Sequence, residues 1–512
     1  MSADNSPSDG HGVTELGYKQ EFERTLGNFH TFAAGISYIS ILTGTFQMFY
    51  FGFSVGGPAN WWSWPMVFIG QLMIALCFAE LAARYPVAGS IYNWSKRLGS
   101  PHVAWLAGWM MLVASVVTVA SVALAYQITL PQIADFFQIA PDNAVNAVIL
   151  GSVLIVFSTA VNAWSTKLMA RINSAGVFIE LIAAVLLVVL LAFAVVRGPQ
   201  VVLDTAHKGD GVPLGYFGAF LVGSLASAYV MYGFDTASSL GEESVNPRKN
   251  APRAILRALI ASFVIGGLIL LLALMAVRNI NAPELSTIGL QYVVIDVLGS
   301  GLGKVFLVAV AIAITVCILA VHTAAIRMTF AMARDNNLPA GSWLAKVHGK
   351  QRTPVRPAIL IGIIAVILLV VNIGQPQIFQ LVTSIGVVLI YVAYLLVTLP
   401  MLIARLRGNW PGKDAPKEGF SLGRWGLPVN ILAVLWGAGM AINLGWPRSE
   451  VYNPTPPFHW FLQWGAVLFV GLVALLGFGY YWFVLRRNSG VLADHAAEST
   501  PEGIDTVAEE AV

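Results

Sequence analysis

Twelve stretches of mostly apolar residues recur along this chain, each close to the 20 or so residues a helix needs to cross the hydrocarbon of a bilayer. They run 32–56, 62–83, 103–130, 144–163, 168–196, 215–241, 254–277, 302–332, 357–373, 377–404, 427–445 and 459–485. Connections such as 57–60 and 374–376 are too short to hold a domain. The expectation is therefore one all-α integral membrane unit over 31–485, between a polar N-terminal tail (1–30) and an acidic tail (486–512). Composition agrees. Of the 512 residues 57% are hydrophobic and only 11% charged, whereas a soluble domain has about a quarter charged residues to solvate its surface.

The net charge of +3 does not indicate a nucleic-acid partner; where the charge sits is more informative. With the N-terminus inside, alternate connections collect 24 of the 29 basic residues, leaving Arg197, Lys208, Arg278, Lys304 and Arg448 outside. Cytoplasmic loops carry such an excess of Lys and Arg, so both ends are expected in the cytoplasm of a cell that holds the protein in its plasma (inner) membrane. Cys77 and Cys317 fall inside apolar runs, which argues against a disulfide framework or a metal cluster. No basic, apolar and cleavage regions succeed one another as in a secretory signal. The tail after Arg487 (Asp494, Glu498, Glu502, Asp505, Glu509, Glu510) reads as a solvated disordered end.

Two spans are interrupted. In span 1, Ile41-Leu42-Thr43-Gly44-Thr45 sets a glycine between hydroxyl residues; in span 6, Met231-Tyr232-Gly233-Phe234-Asp235-Thr236 sets a glycine and an acid in an apolar run. Unwound backbone at membrane depth leaves amides unpaired at several kcal/mol each, and is tolerated where it lines a cavity. Close helix packing explains a single glycine as well, and Gly52-x-x-x-Gly56 fits that pattern. Two breaks, each in the first helix of a five-helix block, point instead to paired discontinuous helices around a transport site at the midplane.

Further motifs surround these breaks. Ala79-Glu80-Leu81-Ala82-Ala83-Arg84-Tyr85-Pro86-Val87-Ala88-Gly89-Ser90-Ile91-Tyr92 follows span 2, Gly233-Phe234-Asp235 leads to Glu242-Glu243 and to Asn250-Ala251-Pro252-Arg253-Ala254-Ile255, and Ala333-Arg334-Asp335-Asn336-Asn337-Leu338-Pro339 closes span 8. Together they resemble the amino acid–polyamine–organocation superfamily over about residues 30–480. Ser40-Ile41-Leu42-Thr43-Gly44 is most similar to its amino acid/choline branch. The resemblance implies the leucine-transporter fold: a 5+5 inverted repeat (31–200 and 213–404) with broken helices 1 and 6, two further helices over 425–485, and alternating access of a bundle against a scaffold. Many relatives carry Gly-Ser-Gly or Gly-Ala-Gly at the first break, where this chain has Leu-Thr-Gly.

A half-helix N-terminus presents free N–H groups and partial positive charge, a seat for a carboxylate. Thr43, Gly44 and Thr45 are the candidates for it, and carbonyls around Tyr232, Gly233 and Phe234 suit an ammonium group. Phe234 serves either as a gate or as ordinary core. Two roles are open to Asp235: pairing with a substrate cation, or capping the second half-helix, the commoner use of Asp at a helix start. Glu180, in span 5, lies about 13 Å along the helix from Arg171, with Asn173 and Gly176 on its face. An ionisable group there is functional by default. The segment from Ile172 to Glu180 resembles a span 5 stretch of cationic-amino-acid relatives, some of which end it in Lys. That resemblance implies proton coupling at Glu180, the rival being a sodium site shared with Thr323. His322 either assists proton movement or bonds within the scaffold. Glu242, Glu243, Arg327, Arg334 and Asp335 form either a cytoplasmic gate or an interfacial anchor.

The reading is thus a permease importing amino acids or related small amines, needing no cofactor beyond a coupling ion (H+ or Na+) and no metal, with lipid and a small solute as partners. Choline, polyamines and 4-aminobutyrate remain as alternatives. A membrane enzyme is disfavoured because neither His-rich boxes nor a nucleotide loop occurs, and a channel because no repeated filter does.

Overall fold

A computed structural model describes residues 11–22, 24–347, 353–371, 373, 378–412, 419–453, 456 and 458–497. Lys350, Arg352, Lys413 and Lys417 of the charge pattern, and the acidic residues from Glu498 onward, lie outside the described residues.

Each of the twelve apolar stretches contains a helix. Among the described residues, ten helical segments are long and apolar enough to cross a membrane, and Tyr216–Val230 and Val355–Val371 are shorter apolar helices. Span 1 comprises Asn28–Ile39 and Ile41–Gly56, and span 6 Tyr216–Val230 with a short continuation, Thr236–Ser239. Spans 2 to 5 are Ser63–Arg84, Pro101–Ile133, Asn143–Trp164 and Thr166–Phe193. Spans 7 to 10 are Pro247–Ala276, Leu290–Arg334, Val355–Val371 and Ile378–Leu406, followed by Gly426–Gly445 and Gly465–Tyr480. Several begin where a short polar side chain accepts a first-turn amide, as Ser100, Asp142 and Ser165 do for Val103, Val145 and Leu168. Two helices meet within 290–334: the first, from Leu290, ends at Gly299 (φ 80°, ψ 161°), where the chain turns into the span that ends at Arg334, close to the expected start at 302.

Burial orders the bundle. In span 1, 94% of the apolar window is inside the protein, in span 12 only 11%. Leu475 and Phe483 of the outer helix stand exposed, as side chains that face lipid do. Span 1 is enclosed by spans 5, 6, 7 and 8, and span 3 packs along spans 8 and 10.

The tail expectation is corrected for part of its length. Residues 488–497 pack onto the bundle rather than trailing into solvent: Gly490 N–H donates to the Asp335 carbonyl at 3.0 Å and Leu492 N–H to that of Arg334 at 2.9 Å. His495 Nδ1 lies 2.9 Å from Glu21 of the N-terminal segment, where Tyr18, Phe22 and Leu26 are themselves buried. Composition missed this because the acids that dominate the tail follow the anchoring residues.

Candidate functional site

The first break lies a turn earlier than expected. Ser40 (φ 38°, ψ 95°) separates the half-helices, and Leu42, Thr43, Gly44 and Thr45 are helical. Gly44 N–H donates to the Ser40 carbonyl at 2.9 Å, and the Thr45 hydroxyl to that of Ile41 at 2.5 Å. The Thr43 hydroxyl lies 2.6 Å from Ser40 Oγ and donates to it, since the one hydroxyl proton of Ser40 goes to Glu180. The Thr43–Gly44–Thr45 set is therefore corrected in part: Gly44 and Thr45 sit inside the half-helix and do not offer its free amides, while the Thr43 N–H belongs to the first turn and is capped by Ser40 Oγ at 3.4 Å. Gly44 serves packing, since a Cβ there would stand 2.8 Å from a methyl of Val230 in span 6.

The amides left open belong to Ile41 and Leu42, and Glu180 has taken that of Leu42. Its Oε1 accepts from Leu42 N–H at 3.1 Å and from the Ser40 hydroxyl at 2.9 Å, with Ile41 N–H alongside. Its Oε2 is buried without a hydrogen-bond partner. Two further bonds join the same helix faces: Ser37 Oγ donates to Asn173 Oδ1 at 2.9 Å, and His30 Nδ1 lies 2.6 Å from Ser174 Oγ. Gly176, one turn before Glu180, lets span 5 close on Val316 of span 8. A polar seam thus runs from the start of span 1 to its break.

At the second break the helix stops at Val230 and resumes at Thr236, with Gly233 at φ 86° under the Tyr38 ring, where any side chain would collide. Among the described residues no hydrogen bond reaches the carbonyls of Met231 and Tyr232. Asp235 does not cap the following turn; its Oδ1 accepts from the Tyr394 hydroxyl at 2.5 Å, and the same oxygen of Tyr394 accepts from Gly233 N–H at 2.9 Å. The capping expectation is corrected because a phenol from span 10 reaches the carboxylate first. Phe234 packs on Phe78 and Tyr394, so it is core. The Tyr38 ring of span 1 meets the Tyr232 ring of span 6 edge-on at 6.0 Å, bringing the two breaks together. Beyond them, Tyr229 donates to Gln47 Oε1 at 2.9 Å and lies 3.2 Å from Ser121 Oγ. A cavity of ≈ 40 Å³ continues past Gly44, Thr45, Asn60, Trp64 and Ser227 toward the face opposite the termini; it is sized for a few waters rather than a solute.

His322 and Thr323 lie elsewhere. The imidazole has Ser158 Oγ at 3.1 Å on Nδ1 and the Ala358 carbonyl at 3.1 Å on Nε2. A carbonyl only accepts, so Nε2 carries the proton and Nδ1 takes one from the serine. Both nitrogens are used in bracing span 8 against spans 4 and 9, which favours the scaffold role. Thr323 Oγ1 sits 2.6 Å from Asn162 Oδ1 of span 4.

On the terminal face the charged residues pair. Arg327 Nε donates to Glu243 at 2.6 Å and Arg334 to Glu242 at 2.8 Å, all four buried. Asp335 receives Lys96 Nζ at 2.6 Å, Tyr92 OH at 2.7 Å and Tyr18 OH at 3.1 Å. The guanidinium of Arg334 lies 3.8 Å from the Tyr18 ring centroid. Lys96 and Tyr18 were not among the sequence candidates, since nothing in their local pattern names a partner.

Residues 26–474 match the amino acid permease family. The chain belongs to that family. It is similar to the amino-acid permease BAT1 homolog of Oryza sativa subsp. japonica (28% identical, covering 93% of this chain and 95% of the relative). It is also similar to amino-acid permease BAT1 of Arabidopsis thaliana (27%, covering 93% and 94%) and to the methylthioribose transporter of Bacillus subtilis (29%, covering 67% and 74%). The protein is a multi-pass membrane permease and not an enzyme. In this permease the motif residue Glu80 is structural: it pairs with Arg405 of span 10 and accepts from Trp410 Nε1 at 3.2 Å.

Proposed function

We propose that this permease carries amino acids or related small amines by alternating access, coupled to protons through Glu180. Its repeats (31–200 and 213–404) rock about the two breaks, its termini lie in the cytoplasm, and its home is the plasma (inner) membrane, where it works as an importer. The observation that carries the reading is the bond between Glu180 and the amides opened at Ser40. The bond supports the reading because it joins a titratable acid to the half-helix that rocks in this scheme, and an ionisable residue at such depth is functional by default. At the other break the unpaired carbonyls of Met231 and Tyr232 suit an ammonium group. The paired charges on the terminal face act as the gate, closed here.

The test is uptake into proteoliposomes holding the purified protein, under an imposed pH gradient or an imposed sodium gradient, after thermal-shift screening against amino acids, amines and quaternary ammoniums. Accumulation is expected to follow the pH gradient. Uptake that follows sodium alone would rule out proton coupling. A second reading draws support from the same contact: with Glu180 in the carboxylate seat, a solute without a carboxylate, of the choline or polyamine type, also fits the site.

A further inference from the structure

The amides of Ile41 and Leu42 are where a half-helix offers an anion its strongest position, and the protein has placed its own carboxylate there. Glu180 is 1% exposed, with one oxygen bonded to the seat and the other buried and unpartnered. Among the described residues no Lys, Arg or His forms an ion pair with it. The elements packed around it carry His30, Tyr38 and Tyr50 in span 1, Arg248, Lys249, Arg253 and Arg257 at the terminal end of span 7, and Tyr292, Asp296, Lys304, Cys317, His322, Arg327 and Arg334 in span 8. His30 and His322 are engaged with Ser174 and Ser158, and Cys317 Sγ lies 3.6 Å from the Tyr38 carbonyl. Among the described residues, the hydrogen bonds that hold Glu180 as an anion come from the opened amides and the Ser40 hydroxyl. Two carboxylates do not ionise side by side at one such site, because like charges at contact distance disfavour each other's ionised form.

We infer that the substrate carboxylate and the Glu180 carboxylate alternate at the Ile41–Leu42 amides, and that Glu180 takes up one proton each time it gives way. This rests on the amino-acid reading above and names what that site recognises. The substrate arrives as a zwitterion, and its carboxylate oxygens take over the two N–H groups and the Ser40 hydroxyl. Glu180, left without donors, binds one proton from water and forms an O–H bond. After release on the other face, Glu180 gives that proton to water and returns to the seat as an anion. Each cycle moves one substrate and one proton and consumes nothing else. Coupling follows from competition for a single seat, with no separate ion site. An amine that lacks a carboxylate has nothing with which to displace Glu180.

The test is calorimetric binding in paired buffers of different ionisation heat, using the full chain in detergent. The probes are L-alanine, 4-aminobutyrate and L-arginine, set against L-alaninamide, n-butylamine and agmatine. For the acids that bind, wild type is expected to take up about one proton per ligand, with affinity falling up to roughly tenfold per pH unit as pH rises. Glu180→Gln keeps an acceptor for Ser40 and Leu42 but carries no titratable group, so its binding should be proton-silent and flat with pH. Ser40→Ala removes a donor shared by both carboxylates and should alter affinity while keeping the proton. If Glu180→Gln does not fold, the wild-type and Ser40→Ala proton counts decide alone. Acids that bind wild type without proton uptake overturn this inference and leave the amino-acid reading intact. Binding by the three amines only, or by none of the six, overturns the amino-acid reading and this inference with it.

Discussion

Tyr394 holds both sides of the break in span 6: its hydroxyl lies 2.5 Å from Asp235 Oδ1 and 2.9 Å from Gly233 N. One phenol donates to the acid and accepts from the amide, so the unwound turn is fastened to span 10 while its carbonyls stay open. Tyr394→Phe leaves a buried carboxylate and a buried N–H without their partner. The expected cost is about 1–3 kcal/mol or more, since an unsatisfied buried group bears its whole desolvation penalty. It should read out as a lower melting temperature in detergent.

Asp235→Asn separates a brace from a substrate contact. Asn keeps an oxygen for the Tyr394 hydroxyl but carries no charge. Substrate affinity close to wild type is the expected outcome. A loss of about a hundredfold or more, the scale of a deleted charged hydrogen bond, would show that Asp235 pairs with the substrate ammonium instead.

Gly44 tests packing against ligand approach. A Cβ there meets both Val230 methyls, at 2.8 and 2.9 Å. Gly44→Ala should therefore cost about 1–3 kcal/mol as an overpacked contact and slow uptake, because span 1 is wedged off span 6. Val230→Ala in the same chain should restore much of both. Failure of that rescue, with the protein correctly folded, would mean that the glycine serves the ligand rather than the helix contact.

The spans were legible because crossing hydrocarbon imposes a length and a composition that few other structures share. The second break was legible too, in the company of Gly233 and Asp235. The first was placed a turn late for a physical reason: a glycine marks close approach as readily as a break, and the residue that opens the helix is Ser40, whose positive φ no sequence pattern announces. Glu180 stood out by its charge, yet its partner Ser40 is 140 positions away. For Asp235 the sequence offers capping or a substrate contact and not the brace it makes, because local rules know only neighbours, whereas Tyr394 lies 159 positions off. Ser37, Gln47 and Lys96 are ordinary residues until the fold supplies what they touch.

Orientation is tested with single cysteines in a Cys77→Ala, Cys317→Ala background. Asp142→Cys should react with an impermeant thiol reagent on intact cells, and Lys350→Cys only after permeabilisation. The reverse pattern would invert the assignment drawn from the basic residues.

The gate is tested through Glu242 and Arg334, which face each other at 2.8 Å with almost no exposure to solvent. Removing one partner of such a pair leaves the other charged and buried, at about 3–5 kcal/mol. Glu242→Gln and Arg334→Met should each destabilise on that scale, and the double variant should recover a large part of the loss. A structural anchor predicts the same melting data, so a second readout is needed. Tyr18 supplies it, since its ring lies over Arg334 and its hydroxyl reaches Asp335 at 3.1 Å from the N-terminal segment. Tyr18→Ala loosens this cover without unpairing Glu242 and Arg334. If the cluster is a gate, Ser239→Cys in the Cys77→Ala, Cys317→Ala background should react faster with a thiol reagent applied from the terminal face once Tyr18→Ala is added. Ser239 is suited to this because it is buried just behind the cluster, 3.0 Å from Ser90 Oγ. Substrate binding from the opposite face should weaken in parallel, as the population shifts toward the open terminal side. An unchanged labelling rate with lowered melting temperature would assign the cluster to anchoring alone.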